Sequence, residues 1–227
     1  MSAPATWVVI PVKPLRGALR RLTPTLEAPV RQELQVAMLT DVLRACADAA
    51  GLAGVMVVTS DPQAREMAER IAGARVVPDH DPPRGMNAAV VRGLVAVAAA
   101  RAEAALVLTA DLPLAQPEDI AQILAVAPPG PSAVLVPSWD GTGTNAMLLR
   151  PPAALSPRLG PDSLARHRAQ AKGRGLAVRI EPLPRLALDI DTPRDLAALM
   201  ARGGTGATLE ACARLAMSEL LEAGSAL

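Results

Sequence analysis

The chain predicts an α/β fold built on one mixed, mostly parallel sheet flanked by helices. Three observations point there. First, the short runs 6–12 (TWVVIPV), 54–59 (GVMVVT) and 105–114 (ALVLTADLPL) are apolar without alternation, which marks strands buried on both faces. Second, longer stretches with apolar residues at helical spacing lie between those runs, and strands alternating with helices imply crossover connections and a parallel sheet. Third, 51% of the 227 residues are hydrophobic, yet there is no Phe or Tyr and only two Trp, Trp7 and Trp139. Ala, Val and Leu must fill the core, which suits helices packed closely on a sheet. No repeat and no clear linker interrupts the pattern, so residues 1–227 read as a single domain.

In chain order, 6–12 is the first strand. Val30, Leu34, Met38, Val42 and Ala45 place a helix over 30–50, ended by Gly51. The strand 54–59 follows, then a helix opened by Ser60-Asp61-Pro62, with Pro62 suited to the first helical position. A short strand at 75–78 leads through the turn-rich loop 79–85 to a helix over 86–101. The run 105–114 is the next strand, and 117–126 the next helix. After the rigid Pro128-Pro129-Gly130-Pro131 come strands at 133–137 and 145–149. The loop between them, 138–144 (SWDGTGT), contains Asp140-Gly141, a hairpin signal by itself. Its glycines would alternatively let the backbone approach a small anion. A basic helix over 164–172, strands at 177–181 and 186–188, and helices from Thr192-Pro193 and over 208–223 complete the chain.

The charge balance excludes some functions. Twenty-three basic and 22 acidic residues give a formal net charge of +1, without the basic excess of a nucleic-acid or membrane-surface protein. The most apolar span, 93–110, is broken by Arg101 and Glu103, so it is not a membrane span. No signal-peptide pattern opens the chain. Cys46 and Cys212 lie far apart in helical patterns without metal spacing, as for buried thiols in a reducing compartment. The expectation is a cytoplasmic protein with a small-molecule substrate.

Two acidic stretches draw attention. In 105–114, Asp111 falls just past a buried strand, and Pro113 stops the strand from continuing. Ligands of open α/β sheets bind beyond the carboxyl ends of strands. In 186–193 (LALDIDTP), Asp189 and Asp191 alternate with Leu188 and Ile190, so both carboxylates share one face of an extended chain. Each Asp alone reads as a strand end or a helix cap. Together, three clustered carboxylates would repel unless a cation neutralises them, which favours a metal site. Lys13, Arg16, Arg20 and Arg21 crowd the loop after the first strand, where a triphosphate could be gripped. Asn87, near a helix start, either caps backbone groups or reads a base or sugar edge. Leu159-Gly160-Pro161-Asp162-Ser163 runs into a helix, whose free N–H groups favour phosphate or carboxylate.

The ordered motifs IPVKP, GMNAAVVRG, TADLPL, GTGTNAMLLRP, LGPDSLARH and LDIDTPRDL resemble the 2-phospholactate guanylyltransferases and the related bacterial phosphoenolpyruvate guanylyltransferases, which serve coenzyme F-420 biosynthesis. The resemblance implies a nucleotide-diphosphosugar-transferase-like (GT-A-like, Rossmann-like) fold. It implies transfer of GMP from GTP to a small phosphorylated acid (2-phospholactate, phosphoenolpyruvate or 3-phosphoglycerate), with pyrophosphate released. By family analogy Asp111, Asp189 and Asp191 match the Mg²⁺-binding residues, and Lys13 and Arg21 match basic residues of the nucleotide loop. Gly85 and Asn87 match the nucleotide-side motif, and Thr144, Gly160 and Ser163 match positions whose main chain holds the acid. Leu19 stands where the family usually carries a second Lys, and Leu159 and Leu164 stand where Phe is common. A molybdopterin guanylyltransferase, a cytidylyltransferase and a non-catalytic nucleotide-binding module are the competing readings. The apolar stripe on 208–223 packs on its own domain by default, whereas family analogy favours a homodimer.

Overall fold

The computed structural model describes residues 5–216. The chain forms β1 (Thr6–Pro11), α1 (Ala28–Asp48), β2 (Leu52–Thr59), α2 (Pro62–Glu69), β3 (Ala74–Pro78), α3 (Met86–Ala99), β4 (Ala104–Leu108), α4 (Pro117–Ala125), β5 (Ser132–Pro137), β6 (Thr144–Arg150), α5 (Ser163–Gly173), β7 (Ala177–Ile180), α6 (Pro193–Arg202) and α7 (Ala207–Arg214). A short 3₁₀ turn, Arg20–Leu22, precedes α1. The seven strands form one sheet in the order β3-β2-β1-β4-β6-β5-β7. β1 pairs in parallel with β2 and β4, β2 with β3, and β5 with β7. Only β6 is reversed, antiparallel to both β4 and β5. The mixed, mostly parallel sheet expected from the apolar runs is present.

Alternating side chains of β1 feed two cores. Val8 and Ile10 join Leu39 and Val42 of α1 and Ile120 and Ile123 of α4. Trp7 and Val9 join Val90 and Leu94 of α3 on the opposite face. Helices therefore cover both faces, which is why the strands need no polar alternation. α3 approaches unusually closely: a Cβ built on Gly93 would lie 2.3 Å from Val9 Cγ1 and 3.0 Å from Val58 Cγ2. A third cluster gathers Leu34 and Met38 of α1, Leu196 and Leu199 of α6, Cys212 of α7, and Leu188 and Ile190.

The topology positions the site. The chain lays down β1, β2 and β3 outward on one side, then returns to place β4 on the other side of β1. The strand order reverses there, and ligands of open α/β sheets bind at such a point. The loops leaving β1 and β4 carry Lys13 and Asp111.

The structure corrects several expectations. Residues 186–188 are not a strand; 184–187 form a turn instead. Ala187 N turns back to Leu183 O at 2.8 Å, so the segment closes on itself instead of laddering with a strand. Single bonds hold it: Trp139 N donates to Ala187 O at 2.9 Å, and Ile190 N to Asp111 O at 3.1 Å. The loop 138–144 closes a hairpin between antiparallel strands, as Asp140-Gly141 signals. Ser138 Oγ fills the space beside Gly143, accepting its N–H at 2.7 Å, and Asp140 accepts from Ser138 Oγ, Thr142 N and Thr142 Oγ1. The helix expected over 208–223 is described only as α7, which ends at Arg214; Ala216 has φ 48°. Leu220 and Leu221 of its stripe lie outside the described residues. α7 packs on α1, and Asp41 of α1 caps it by accepting from Ala207 N, Thr208 N and Thr208 Oγ1 at 2.7, 2.8 and 2.6 Å. Among the described residues no helix is long and apolar enough to cross a membrane.

Candidate active site

The loop after β1 borders a cleft of about 710 Å³ lined by Lys13, Arg16, Arg20, Arg21, Gly85 and Asp191, among others. A recess of about 90 Å³ shares Lys13 and Asp191 with it and adds Gln35, Ala110 and Asp111. The cations stand on a loop held by buried anchors. Leu15 is fully buried and its N–H donates to Asp61 Oδ2 at 2.9 Å. Asp61 Oδ1 meanwhile caps α2 by accepting from Gln63 N and Ala64 N at 2.9 and 3.0 Å. Arg31 donates to the carbonyls of Ala18 and Leu26. Asp61 was legible as a helix start, but its second role was not. Gly85 opens α3 with φ 93°, a left-handed conformation that favours glycine.

The acidic residues converge only in part. Leu188 and Ile190 point into the third core cluster, so Asp189 and Asp191 are turned the other way, as alternation requires. Asp189 Oδ1 accepts from Asn145 Nδ2 at 3.1 Å, and the same Nδ2 donates to the carbonyls of Leu186 and Ala187 at 3.0 Å each. Asn145, a polar residue inside an apolar strand, thereby pins the acidic segment to β6; that anomaly was its sequence signal. Asp111 Oδ1 is buried without a partner. Burial, with Asp189 and Asp191 nearby, pushes the Asp111 carboxyl up to about 6, against the opposing pull of the Thr109 hydroxyl. Burial also raises Asp189, with Asn145 opposing. Asp191 instead accepts from Arg21 Nη1 at 3.1 Å in a solvent-exposed pair. Among the described residues, no three His, Cys, Asp or Glu side chains converge as a ready-made metal cage.

The positions expected to hold the acid form a second assembly. Thr144 opens β6, Ser163 opens α5, and Gly160 turns between them with φ 111°. Ser163 N donates to Gly160 O at 3.1 Å, and Leu164 N to Thr142 O at 3.0 Å. Thr144 Oγ1 lies 3.1 Å from Nδ1 of the fully buried His167. Of the two readings of Asn87, the structure shows bonding to backbone groups: its amide donates to Leu159 O at 3.1 Å and accepts from Leu159 N at 2.7 Å.

Residues 6–227 match the family described as guanylyl transferase CofC like. The chain belongs to that family. A phosphoenolpyruvate guanylyltransferase of Rubrobacter xylanophilus is 42% identical over 200 residues, covering 88% of this chain and 96% of that protein. Those of Conexibacter woesei and Thermomonospora curvata are 41% and 40% identical, over 86% and 94% of this chain and 87% and 92% of theirs. Among solved structures, a Desulfovibrio desulfuricans G20 protein assigned to the nucleotide-diphospho-sugar transferases superposes with TM-score 0.76 over 99% of both chains at 16% identity. A 4-diphosphocytidyl-2C-methyl-D-erythritol synthase from Anaerococcus prevotii gives 0.57 over 86% of this chain and 94% of its own at 11% identity. The fold is thus of the nucleotide-diphospho-sugar transferase type, and this CofC-like chain is an enzyme, a guanylyltransferase.

One buried group should make this guanylyltransferase sensitive to acid. Burial first, then Arg166 and Arg158, push the His167 imidazole down from 6.5 to about 4. A folded-state value below the unfolded one adds stability that is full above pH 6.5 and is lost as pH falls toward 4. The contribution is about 3 kcal/mol at most. The wild-type Tm should therefore fall between pH 6.5 and 4 more steeply than that of His167→Gln, which has no imidazole to charge. Parallel slopes in thermal melts of the two proteins would remove this role.

Proposed function

We propose that this guanylyltransferase transfers GMP from GTP to a small phosphorylated acid, releasing pyrophosphate, in coenzyme F-420 biosynthesis. Phosphoenolpyruvate is the favoured acceptor, because the relatives at about 40% identity carry that substrate in their names; 2-phospholactate and 3-phosphoglycerate are the alternatives. The observation that carries the reading is the buried, unpartnered Oδ1 of Asp111 beneath a cleft lined by Lys13, Arg16, Arg20 and Arg21. The cations suit a triphosphate, and the carboxylate suits a divalent cation that arrives with it. The missing three-carboxylate cage is no obstacle. Mg²⁺ is usually bound through one or two carboxylates plus substrate phosphates, and Asp111 with Asp189 supplies that many. Asp191 would be available to join them if a triphosphate drew Arg21 away, since an exposed ion pair holds its partner by about 1 kcal/mol or less. When bound, Mg²⁺ neutralises charge on the transferring and departing phosphates.

The chain's own residues do the rest by position and charge. The nucleophile is a phosphate oxygen of the acid, whose second pKa is about 6, so no protein base has to remove a proton at neutral pH. It forms a new bond to the α-phosphorus of GTP as the bond to the β-phosphate oxygen breaks. Lys13 and Arg21 stabilise the departing pyrophosphate. Gly85 keeps the start of α3 open beside the nucleotide. Thr144, Gly160 and Ser163 hold the acid so that its phosphate faces the α-phosphorus.

The test is pyrophosphate release with GTP, ATP or CTP against each of the three acids at saturating Mg²⁺. GTP with phosphoenolpyruvate should turn over fastest. Equal rates with ATP would remove the guanylyl preference proposed here, and no release with any acid would overturn the reaction.

A further inference from the structure

Resting on the acid-transfer reading, we propose that His167 is a positioning residue. It assembles the acid site by tying Thr144, the turn before Gly160 and the start of α5 to one imidazole. Its two ring nitrogens have fixed and different duties. Nε2 lies 3.0 Å from the backbone N of Arg158. A backbone N–H can only donate, so Nε2 accepts and carries no proton. The imidazole is fully buried and stays neutral at pH 7, so its one proton sits on Nδ1. Nδ1 therefore donates to Thr144 Oγ1 across 3.1 Å. The Thr144 hydroxyl is thereby used as an acceptor, which fixes its rotamer at the start of β6.

The geometry links all three family-matched positions. His167 lies four residues beyond Ser163 on α5, and side chains at that spacing share a helix face. Arg158 is held by His167, and the next residue, Leu159, is clamped through both backbone groups by Asn87. Gly160 follows, so the turn enters its left-handed position from two consecutive fixed residues. Asn87 is two residues past Gly85, which lines the nucleotide cleft. The acid turn is thus braced against both α5 and the nucleotide-side helix α3.

Two substitutions separate the duties of the ring. His167→Gln can keep an acceptor for Arg158 N while losing the Nδ1 donor; Thr144→Val removes the hydroxyl that the donor serves. Each should raise the KM for phosphoenolpyruvate roughly ten- to a hundred-fold, the worth of a hydrogen bond to a charged group. The KM for GTP should stay within about two-fold, because uniform binding is lost only on the acid side. The double variant should lose little beyond either single one. Equal rises in both KM values, or an unchanged acid KM in both variants, would overturn the proposal. If His167→Gln does not fold, Thr144→Val must show the acid-selective rise alone, and its failure to do so overturns the proposal. Wild-type enzyme inactive with all three acids would instead overturn the acid-transfer reading, and a normal wild type with unaltered variants only the role of His167.

Discussion

Asp111→Asn should lose at least about a thousand-fold in pyrophosphate release, while the metal-free protein melts at or above the wild-type temperature at pH 7. The substitution keeps shape and volume but removes the charge with which Asp111 is proposed to hold the metal. Metal stabilisation of transferring charge is worth several kcal/mol, and each 1.36 kcal/mol is about ten-fold in rate. The stability effect has the opposite sign. Asp111 is pushed from 3.8 to about 6 in the folded protein. A raised carboxyl adds stability only below its unfolded value and loses it as pH rises through the folded one. At pH 7 the ionised side chain therefore costs on the order of 1–3 kcal/mol that asparagine does not. The Tm advantage of the variant should be near zero at pH 4 and grow toward pH 7, by a few degrees for a chain of this size. Were Asp111 only a strand end, asparagine would leave activity near normal. Near-normal turnover at saturating Mg²⁺ sinks the site.

Gly93→Ala should destabilise the protein by about 1–3 kcal/mol through overpacking, even though alanine is the better helix former by about 1 kcal/mol. The new Cβ would lie 2.3 Å from Val9 Cγ1, a methyl of a fully buried central-strand residue with nowhere to go. α3 would have to lift from β1 and β2. Because Gly85 and Asn87 lie in its first turn, activity should fall further than the loss of folded protein explains. Val9→Ala in the same chain removes the clashing methyl and should restore part of both losses, a coupling expected of residues in contact. A higher Tm for Gly93→Ala alone would show that propensity, not packing, governs this position.

Much of the fold around the candidate site was legible because its signals are local. The runs that became β1 and β4 are apolar throughout because helices cover both faces of the sheet. Asp61-Pro62 and Thr192-Pro193 opened helices as their capping chemistry predicts. Leu188 and Ile190 turn inward and Asp189 and Asp191 the other way, although the expected strand at 186–188 is absent. Alternation needs only an extended chain at 188–191, whereas the turn at 184–187 takes Ala187 N back to Leu183 O and away from any ladder.

By itself, then, the sequence determined the strand and helix order up to β7, the family motifs and which short stretches carry charge, because periodicity and caps act over a few residues. Only the tertiary structure decided the partners of those charges. Arg21 meets Asp191 across 170 positions, Asn87 meets Leu159 across 72, and Asp41 caps α7 across 167. The same packing buried Asp111 Oδ1 without a partner and spent both nitrogens of His167. Such pairings depend on which loops the sheet topology brings to one edge, and no local pattern encodes that.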